Sequence, residues 1–213
     1  MIKEKIIIVN YGLGNILSLE RSIKNLNYEV CTTSNTHVIA NASKVILPGV
    51  GSYGFAVSKL KELGIFEALN ICKEKNTPIL GICLGMQLLF DTSLEFGVNH
   101  GLGFIEGKII PIRQETKKQI KIPNINWLKI SKNKINNNQV LLNNLSIEDR
   151  FYFIHSYFVK VKFKESVVAY SKYYDVEIPA IVNKKNIYGC QFHPEKSANS
   201  GLKILKNFLE LNV

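Results

Sequence analysis

The sequence predicts an α/β protein whose central sheet is mostly parallel and flanked by helices. Three features indicate this: short apolar runs typical of buried strands, helix-like segments between them, and glycine-rich turns at the strand ends. Parallel neighbours require a crossover connection, so alternating strands and helices indicate βαβ units with both faces of the sheet covered. The second half predicts a smaller, antiparallel β-rich part. We expect one domain over residues 1–213.

Each element of the first half is read from its hydrophobic pattern. The first apolar run ends at a glycine-rich turn, and a segment with apolar residues at helical spacing follows. Proline and glycine close the second apolar run, and the third leads directly into Cys83. The predicted elements are strands at residues 6–9, 45–47 and 78–82, and helices at residues 16–26, 52–75 (interrupted near Gly64) and 84–90.

The second half consists of shorter alternating segments. Residues 103–164 have a β-rich pattern, and the Asn- and Lys-rich run at residues 132–138 predicts a surface loop because it is low in complexity. We expect a strand over residues 151–161 with a bend at His155-Ser156-Tyr157. The remaining predicted elements are a strand at residues 187–192 and a closing amphipathic helix at residues 201–211.

Composition places the chain among ordinary globular proteins. Its 213 residues are 46% hydrophobic and 21% charged, and a chain of this size buries about 70% of its unfolded surface without needing a disulfide or metal. The four cysteines form no C-x-x-C pair, so we expect no disulfide framework, no zinc site and no cofactor. The first apolar run is too short for a signal peptide, and none approaches the roughly 20 residues of a membrane span. We therefore expect a cytoplasmic protein.

The formal net charge of +10 raises the question of nucleic-acid binding. The lysines are spread along the chain, and no RNP motif, basic helix or aromatic-interleaved basic stripe occurs. A solvated surface, or a basic docking face for a protein partner, explains the charge better. We expect no nucleic-acid partner.

Cys83 is the candidate nucleophile. It lies in Gly81-Ile82-Cys83-Leu84-Gly85, the thiol counterpart of the G-x-S-x-G elbow, between a predicted strand and a predicted helix. A sharp turn lifts the nucleophile out of the sheet, and the free N–H groups of the new helix stabilise a thiolate and an oxyanion. The alternative is a buried cysteine in a glycine-rich turn, but the flanking strand and helix favour the elbow.

His193 is the candidate base, since a thiol nucleophile needs a base and the base needs an orienting group. It follows a predicted strand, and Glu195 lies two residues on, so both side chains point the same way in an extended segment. The carboxylate then holds one imidazole nitrogen and leaves the other for Cys83. The other histidines lie in polar, loop-like contexts or beside the strand bend: His37, His100 and His155.

Five segments match one protein family in their order along the chain. They are P-G-V-G at residues 48–51, G-I-C-L-G-M-Q at 81–87, G-L-G-F-I-E-G at 101–107, F-Y-F-I-H-S-Y at 151–157 and H-P-E-K-S at 193–197. Together they resemble the class I (triad) glutamine amidotransferases and, within them, the glutaminase subunits of imidazole glycerol phosphate synthase. Each segment is weak alone, but their joint order spans nearly the whole chain. The resemblance implies the flavodoxin-like fold of class I glutamine amidotransferases.

The resemblance implies hydrolysis of L-glutamine by a Cys-His-Glu triad. Cys83 attacks the carboxamide carbon, His193 protonates the departing ammonia, and Glu195 holds the imidazole while water hydrolyses the glutamyl thioester. The implied oxyanion donors are the N–H groups of Leu84 and of Val50 or Gly51. The implied glutamine-binding residues are Gln87, Glu95, His155, Ser156 and Tyr157.

The resemblance also implies a partner. In the family, ammonia passes within a heterodimer to a (β/α)8-barrel cyclase subunit that makes imidazole glycerol phosphate in histidine biosynthesis. The positions that face this partner are Asn10, Asn15, Trp127 and Lys196. These residues also have plain structural interpretations, such as a helix start for Asn15 and a solvated charge for Lys196.

One segment departs from the family pattern. Pro123-Asn124-Ile125-Asn126-Trp127 stands where the family usually has P-H-M-G-W-N. Because this segment lies near the subunit interface in the family, we expect the departure to concern the partner and to leave the glutaminase chemistry intact. The alternative function is therefore the same glutaminase supplying ammonia to a sugar-modifying amidotransferase in surface-polysaccharide biosynthesis.

Two further classes fit the sequence less well. A catalytically silent scaffold or redox sensor built on the cysteine elbow needs no base, so His193 and Glu195 count against it. An esterase of the α/β-hydrolase type has its triad in the order nucleophile, acid, histidine. In this chain the candidate acid follows the histidine instead.

Overall fold

A computed structural model describes residues 5–211. The strands within this range are β1 (Ile6–Val9), β2 (Val30–Thr33), β3 (Lys44–Leu47), β4 (Ile79–Ile82), β5 (Phe90–Ser93), β6 (Asn99–His100), β7 (Ile105–Pro111), β8 (Asn124–Lys132), β9 (Arg150–His155), β10 (Tyr157–Val161), β11 (Val167–Tyr173), β12 (Val176–Lys184) and β13 (Ile187–Cys190). The α-helices are α1 (Ile16–Asn25), α2 (Thr36–Ala40), α3 (Tyr53–Glu62), α4 (Ile65–Glu74), α5 (Leu84–Leu88) and α6 (Ala198–Leu209).

The main sheet joins a parallel half to an antiparallel half. Its nine strands have the order β2-β1-β3-β4-β13-β12-β11-β8-β9. The strands from β2 to β13 in this order are parallel neighbours, and those from β13 to β9 pair antiparallel. The α/β prediction is confirmed, and the antiparallel strands extend the same sheet. The carboxyl ends of β1, β3, β4 and β13 meet at one edge, where ligands bind in open α/β sheets.

A second, four-stranded sheet packs beside the first, in the order β10-β7-β5-β6. β9 belongs to the large sheet and β10 to the small one, with only Ser156 between them. The bend predicted at residues 155–157 is confirmed. It is the point at which the chain passes from one sheet to the other.

The core lies on both faces of the parallel half. β1, β3 and β4 are buried at every position, as parallel strands covered on both sides are. On one face, Leu19 and Ile23 of α1 pack in the same cluster as Phe208 of α6. On the other face, Leu60 of α3 and Leu69 of α4 pack in a second cluster. The i, i+4 spacing in α1 gives this helix its apolar stripe.

Several predicted boundaries are wrong. The helix expected at residues 84–90 ends at Leu88, because Phe90 pairs with Ile105 as the start of β5. The closing helix begins earlier than expected, at Ala198, and the strand expected at residues 187–192 ends at Cys190. The strands and α-helices that the hydrophobic pattern did not predict are β2, α2, β5, β6, β11 and β12.

The surface loop predicted at residues 132–138 is partly buried. The Asn133 amide donates to the carbonyl oxygens of Lys164 and Val167, and the Asn136 amide donates to that of Glu165. Both asparagines are buried, at 8% and 7% exposure. Their side chains hold the loop against the backbone of residues 164–167, which low complexity alone does not indicate.

Within residues 5–211, no helix is long and apolar enough to cross a bilayer.

Candidate active site

Cys83 occupies a strained elbow between β4 and α5. Its φ of 53° and ψ of −110° lie outside the usual regions for a residue with a side chain. The turn brings α5 against the end of β3, so closely that a Cβ on Gly85 would lie 1.8 Å from the carbonyl oxygen of Leu47. Only glycine fits there. The second glycine of the motif is therefore explained by close packing of backbone on backbone.

His193 and Glu195 form a buried pair just beyond β13. Glu195 Oε1 accepts a hydrogen bond from His193 Nδ1 at 2.8 Å, and both side chains are 3% exposed. The backbone N–H of His193 donates to the carbonyl oxygen of Tyr152 at 2.9 Å, which ties the histidine to β9. Nδ1 is thus engaged, and Nε2 is the nitrogen that remains for a nucleophile.

The surroundings of His193 favour its charged form. Burial lowers the pKa of His193, but its interactions with the Cys83 side chain and with Glu195 outweigh burial and raise the pKa from 6.5 to about 10. The Cys83 sulfur is close enough to shift this pKa, yet within residues 5–211 Nε2 is buried with no partner in hydrogen-bond geometry. The arrangement provides a protonated imidazole beside a thiol.

A cavity of about 280 Å³ opens over Cys83. It brings together the side chains or backbone of every predicted oxyanion and glutamine-binding residue, together with Cys83 and His193. The lining residues are Val50, Gly51, Cys83, Leu84, Gln87, Glu95, Pro123, Ile154, His155, Ser156, Tyr157 and His193. Of the predicted catalytic set, Glu195 alone is not among the lining residues, since it lies behind His193.

Tyr11 supports the loop that carries the predicted oxyanion donors. Its hydroxyl donates to the carbonyl oxygen of Pro48 at 2.8 Å and is buried. Burial and the nearby Cys83 raise the pKa of Tyr11 above its ordinary value, so the hydroxyl stays a hydrogen-bond donor. The amide of Leu84 is the first of α5 and has no acceptor within the helix.

Buried polar side chains hold the floor of the cavity. Gln87 Nε2 donates to the carbonyl oxygen of Tyr157 at 3.1 Å and to Gln191 Oε1 at 3.0 Å. His155 Nδ1 donates to the same Tyr157 carbonyl at 2.8 Å. Burial lowers the pKa of His155 to about 4, so its ring is neutral near pH 7.

Glu95 lies at the cavity wall and also caps α3. Its Oε2 accepts a hydrogen bond from the backbone N–H of Tyr53 at 2.6 Å. Asn99 Nδ2 donates to the Glu95 carbonyl oxygen at 3.0 Å and fixes the loop from the other side. The carboxylate is therefore held in place at the cavity and presents a negative charge there.

The segment that departs from the family pattern, residues 123–127, reaches the cavity as well as the surface. Asn124 is fully buried, and its Nδ2 donates to His155 Nε2 at 3.0 Å. Asn126 Nδ2 in turn donates to Asn124 Oδ1 at 2.9 Å. The segment that we expected to concern the partner thus also contacts a residue that lines the cavity, His155.

An exposed apolar patch flanks the cavity on β8 and β9. The pairs Ile125–Ile154 and Trp127–Tyr152 lie opposite each other in the antiparallel register, and we call these four residues the β8–β9 apolar surface. Ile125, Trp127 and Ile154 are 49%, 47% and 37% exposed.

The other predicted interface residues lie near the same edge of the sheet. Asn10 is exposed just beyond β1, and its side chain accepts from Gly12 N at 3.2 Å. Asn15 precedes α1, without a side-chain cap, and exposed Lys196 places its Nζ 6.0 Å from the Tyr152 ring.

Sequence reasoning gave no role at the cavity to the lining residues Pro123 and Ile154, nor to three buried residues beside them. Gln191 and Asn124 are 0% exposed and Tyr11 is 2% exposed, and each makes a side-chain hydrogen bond at or next to the cavity. A signal was present for Gln191, since a polar residue directly after a buried strand and two positions before the candidate base is unusual. In residues 5–211 no group of three or more His, Cys, Asp or Glu side chains is placed to hold a metal.

The fold and site define an α/β protein with a cysteine elbow beside a buried histidine–carboxylate pair. A family model for Glutamine amidotransferase class-I matches residues 7–211, and the chain belongs to this family.

Relatives and solved structures agree with this assignment. The chain is 41% identical over 206 residues to "Imidazole glycerol phosphate synthase subunit HisH" of Geobacillus sp. (strain WCH70), covering 96% of this chain and 95% of that one. It is 42% identical over 210 residues to "Imidazole glycerol phosphate synthase subunit HisH 2" of Methanococcus maripaludis, covering 96% and 98%. A solved structure of PurLQS from Thermotoga maritima has the same fold, with a TM-score of 0.73 at 20% identity over 98% of both chains.

Proposed function

We propose that this chain is a glutaminase subunit that supplies ammonia to a cyclase making imidazole glycerol phosphate. The observation that carries the proposal is the placement of Cys83 and His193 on one cavity, with Glu195 hydrogen-bonded behind the imidazole. Family membership and the names of relatives at about 40% identity support both the chemistry and the pathway.

The reaction starts from a thiolate and an imidazolium. Cys83 Sγ attacks the carboxamide carbon of glutamine, and the C–N bond of the tetrahedral intermediate breaks as His193 gives its proton to the leaving ammonia. Water then adds to the glutamyl thioester, losing a proton to His193. Collapse of the second intermediate breaks the C–S bond and releases glutamate.

Both tetrahedral intermediates carry an oxyanion that needs donors. The first amide of α5, on Leu84, is one candidate, and an amide of Val50 or Gly51 is the other, since all three residues line the cavity. The Tyr11–Pro48 hydrogen bond anchors the loop from which the second donor comes. Loss of one such donor typically lowers the rate about 10²- to 10³-fold.

The cavity suits a free amino acid. Its volume of about 280 Å³ is at the small end of the range for ligand pockets. Glu95 supplies a negative charge for the glutamine ammonium, and the backbone of His155, Ser156 and Tyr157 supplies polar groups along the bend. Both amide hydrogens of Gln87 point to protein acceptors, so Gln87 offers the substrate only its carbonyl oxygen.

The β8–β9 apolar surface supports docking of the cyclase subunit. Its exposed side chains lie beside the mouth of the cavity, where a covering partner would keep ammonia from water. Asn10, Asn15, Trp127 and Lys196 are the residues that we place in this interface. The aromatic character of Trp127 is typical of interface anchors.

The test is a Cys83→Ala variant assayed with its cyclase partner. Synthesis from glutamine should fall about 10³-fold or more, whereas synthesis from added ammonium should be unchanged, because the variant lacks only the nucleophile. Cys31→Ala is the matched control, since Cys31 is an exposed thiol outside the cavity. Continued turnover of glutamine by Cys83→Ala would refute the assignment.

A second candidate is supply of ammonia to a sugar-modifying amidotransferase. It is favoured by Asn124 and Asn126, which replace residues of the histidine-pathway pattern next to the β8–β9 apolar surface. A pull-down from native lysate distinguishes the two candidates. Recovery of a sugar-modifying enzyme instead of a barrel-shaped cyclase would decide for this second function.

A further inference from the structure

Gln191 has a contact that the triad chemistry does not use. It directly follows β13, is 0% exposed, and its backbone N–H donates to the carbonyl oxygen of Ala180 at 2.9 Å. Its Nε2 lies 3.7 Å from Cys83 Sγ, within hydrogen-bond distance for sulfur. A buried carboxamide is thus aimed at the nucleophile.

The orientation of this carboxamide follows from a backbone carbonyl. The oxygen of Tyr157 only accepts, so the Gln87 atom 3.1 Å from it must be Nε2. The same Nε2 lies 3.0 Å from Gln191, which must therefore present its oxygen to Gln87. The Gln191 NH₂ group is left to point at Cys83, and no flipped arrangement satisfies all three contacts.

The two neighbours of Cys83 Sγ favour different charge states. The carbonyl oxygen of Ile154, 3.8 Å away, accepts from the neutral thiol and repels a thiolate. Gln191 Nε2 is a donor and binds the thiolate more strongly than the thiol, because hydrogen bonds to a charged acceptor are about twice as strong. When Cys83 ionises, its hydrogen bonding passes from Ile154 to Gln191.

We propose that Gln191 is a catalytic residue whose carboxamide donates to the Cys83 thiolate, and that Gln87 is the positioning residue that orients it. The proposal rests on the proposed glutaminase function, in which the thiolate is the nucleophile. It also gives Gln87 a role that does not depend on contact with glutamine.

The test measures thiolate formation without glutamine or a partner. Gln191→Glu keeps an oxygen for the Gln87 amide and replaces only the NH₂ group that faces the sulfur. In a Cys31→Ser background, the rate of alkylation of Cys83 by iodoacetamide is followed against pH. We expect the inflection to move to higher pH and the rate at pH 7 to fall at least about tenfold.

Further variants separate loss of the donor from added charge. Gln191→Met removes the donor without a carboxylate, and we expect a smaller shift in the same direction. Gln87→Met leaves Gln191 in place but removes the contact that orients its carboxamide. We therefore expect this variant, too, to move the inflection of the alkylation rate to higher pH. It provides the test if the Gln191 variants do not fold. Gln114→Glu adds the same charge at an exposed position and should change nothing.

An unchanged inflection in folded Gln191→Glu would overturn the proposal. Steady-state kinetics provide a second measurement: kcat for glutamine should fall at least about tenfold while KM changes little, because the donor acts on the nucleophile. A rise in KM alone would assign Gln191 to substrate binding instead. Failure of the glutaminase function is seen separately, as retained glutamine turnover in Cys83→Ala.

Discussion

His193 holds its proton well above neutral pH, since its interactions with Cys83 and Glu195 raise its pKa to about 10. An imidazolium in this position is a positive charge beside the Cys83 side chain and a proton donor for a leaving group. The folded-state pKa lies above the ordinary value of 6.5. The interactions of protonated His193 with its neighbours therefore stabilise the folded state fully below about pH 6.5, and this contribution is lost as the pH rises toward 10.

The raised pKa of His193 predicts the pH at which activity falls on the alkaline side of the pH–rate profile. In the wild type, kcat/KM for glutamine should fall only as the pH approaches 10, where His193 loses its proton. Glu195→Gln should move this limb to lower pH, because the carboxylate no longer stabilises the imidazolium. Glutamate release is the measurement, since ammonia itself titrates in this range. An unmoved limb would mean that Glu195 does not set the protonation of His193.

The size of the two losses separates their roles. The kcat of Glu195→Gln should stay about 10- to 100-fold higher than the kcat of His193→Ala, because glutamate orients the ring whereas histidine transfers the proton. Equal or reversed losses would contradict this division.

At the scale of residues, the sequence predicted the residues that we propose to react and did not indicate several residues that contact them. Cys83, His193 and Glu195 stand in recognisable local motifs. The contact between Gln191 and Cys83 joins residues 108 positions apart, and the Tyr11 hydroxyl reaches Pro48 across 37 positions. Such contacts depend on which strands are neighbours, and local patterns carry little information about that.

The β4–α5 elbow depends on backbone packing that one methyl group would break. Gly85→Ala would place Cβ 1.8 Å from the Leu47 carbonyl oxygen, which requires β3 or α5 to move. We expect a loss of more than about 3 kcal/mol in the free energy of unfolding, together with loss of glutaminase activity. Urea denaturation and glutamate release measure the two effects.

Gly64→Ala is the matched control for the elbow. Gly64 has a positive φ of 66°, unlike Gly85, but a Cβ there meets only Thr36 Cγ2 at 3.5 Å. Its cost should be about 1–2 kcal/mol from backbone strain alone, with activity retained. Equal costs for the two variants would show that the close approach of α5 to β3 is unimportant.

At the scale of elements, predictions succeeded where one periodicity dominated. The strands β1 and β4 contain only apolar residues and glycine, β3 is apolar after Lys44, and α1 has a clear stripe, so each appeared close to its predicted place. The predicted end of α5 was wrong because all five residues of this helix are buried, so the sequence shows no alternation of apolar and polar residues at helical spacing. The buried asparagines at residues 133 and 136 were predicted as exposed loop residues. Their carbonyl partners lie about 30 residues away in the sequence, so the local pattern does not indicate these hydrogen bonds.

The whole sheet assembles the site by placing β13 directly beside β4. Cys190 pairs with Ile82, and the N–H of Cys83 donates to the Cys190 carbonyl oxygen at 2.8 Å. The nucleophile and the histidine thus leave neighbouring strands at the same edge. The sequence indicated parallel strands, but it did not indicate that a strand near the end of the chain lies next to β4.

Binding of the cyclase partner is predicted to depend on the β8–β9 apolar surface. Trp127→Ala should weaken the complex about 30-fold, or about 2 kcal/mol, as for an aromatic anchor at an interface. The Trp127 ring is 47% exposed and contacts Tyr152 at a centroid distance of 5.7 Å. Calorimetric titration with the purified cyclase measures the change.

A surface substitution elsewhere controls for general effects on folding. Ile71 on α4 is 40% exposed and lies outside the cavity and the β8–β9 apolar surface. Ile71→Ala should leave the affinity unchanged. If both variants bound the cyclase equally well, the interface would have to lie on another face.

The passage of the chain from β9 to β10 through Ser156 has a mechanical consequence. The large and small sheets are joined there by a single residue, and that residue also lines the cavity over Cys83. Because His155 ends β9 and Tyr157 begins β10, and both line the cavity, a change in the angle between these two strands at Ser156 would move two walls of the cavity relative to each other.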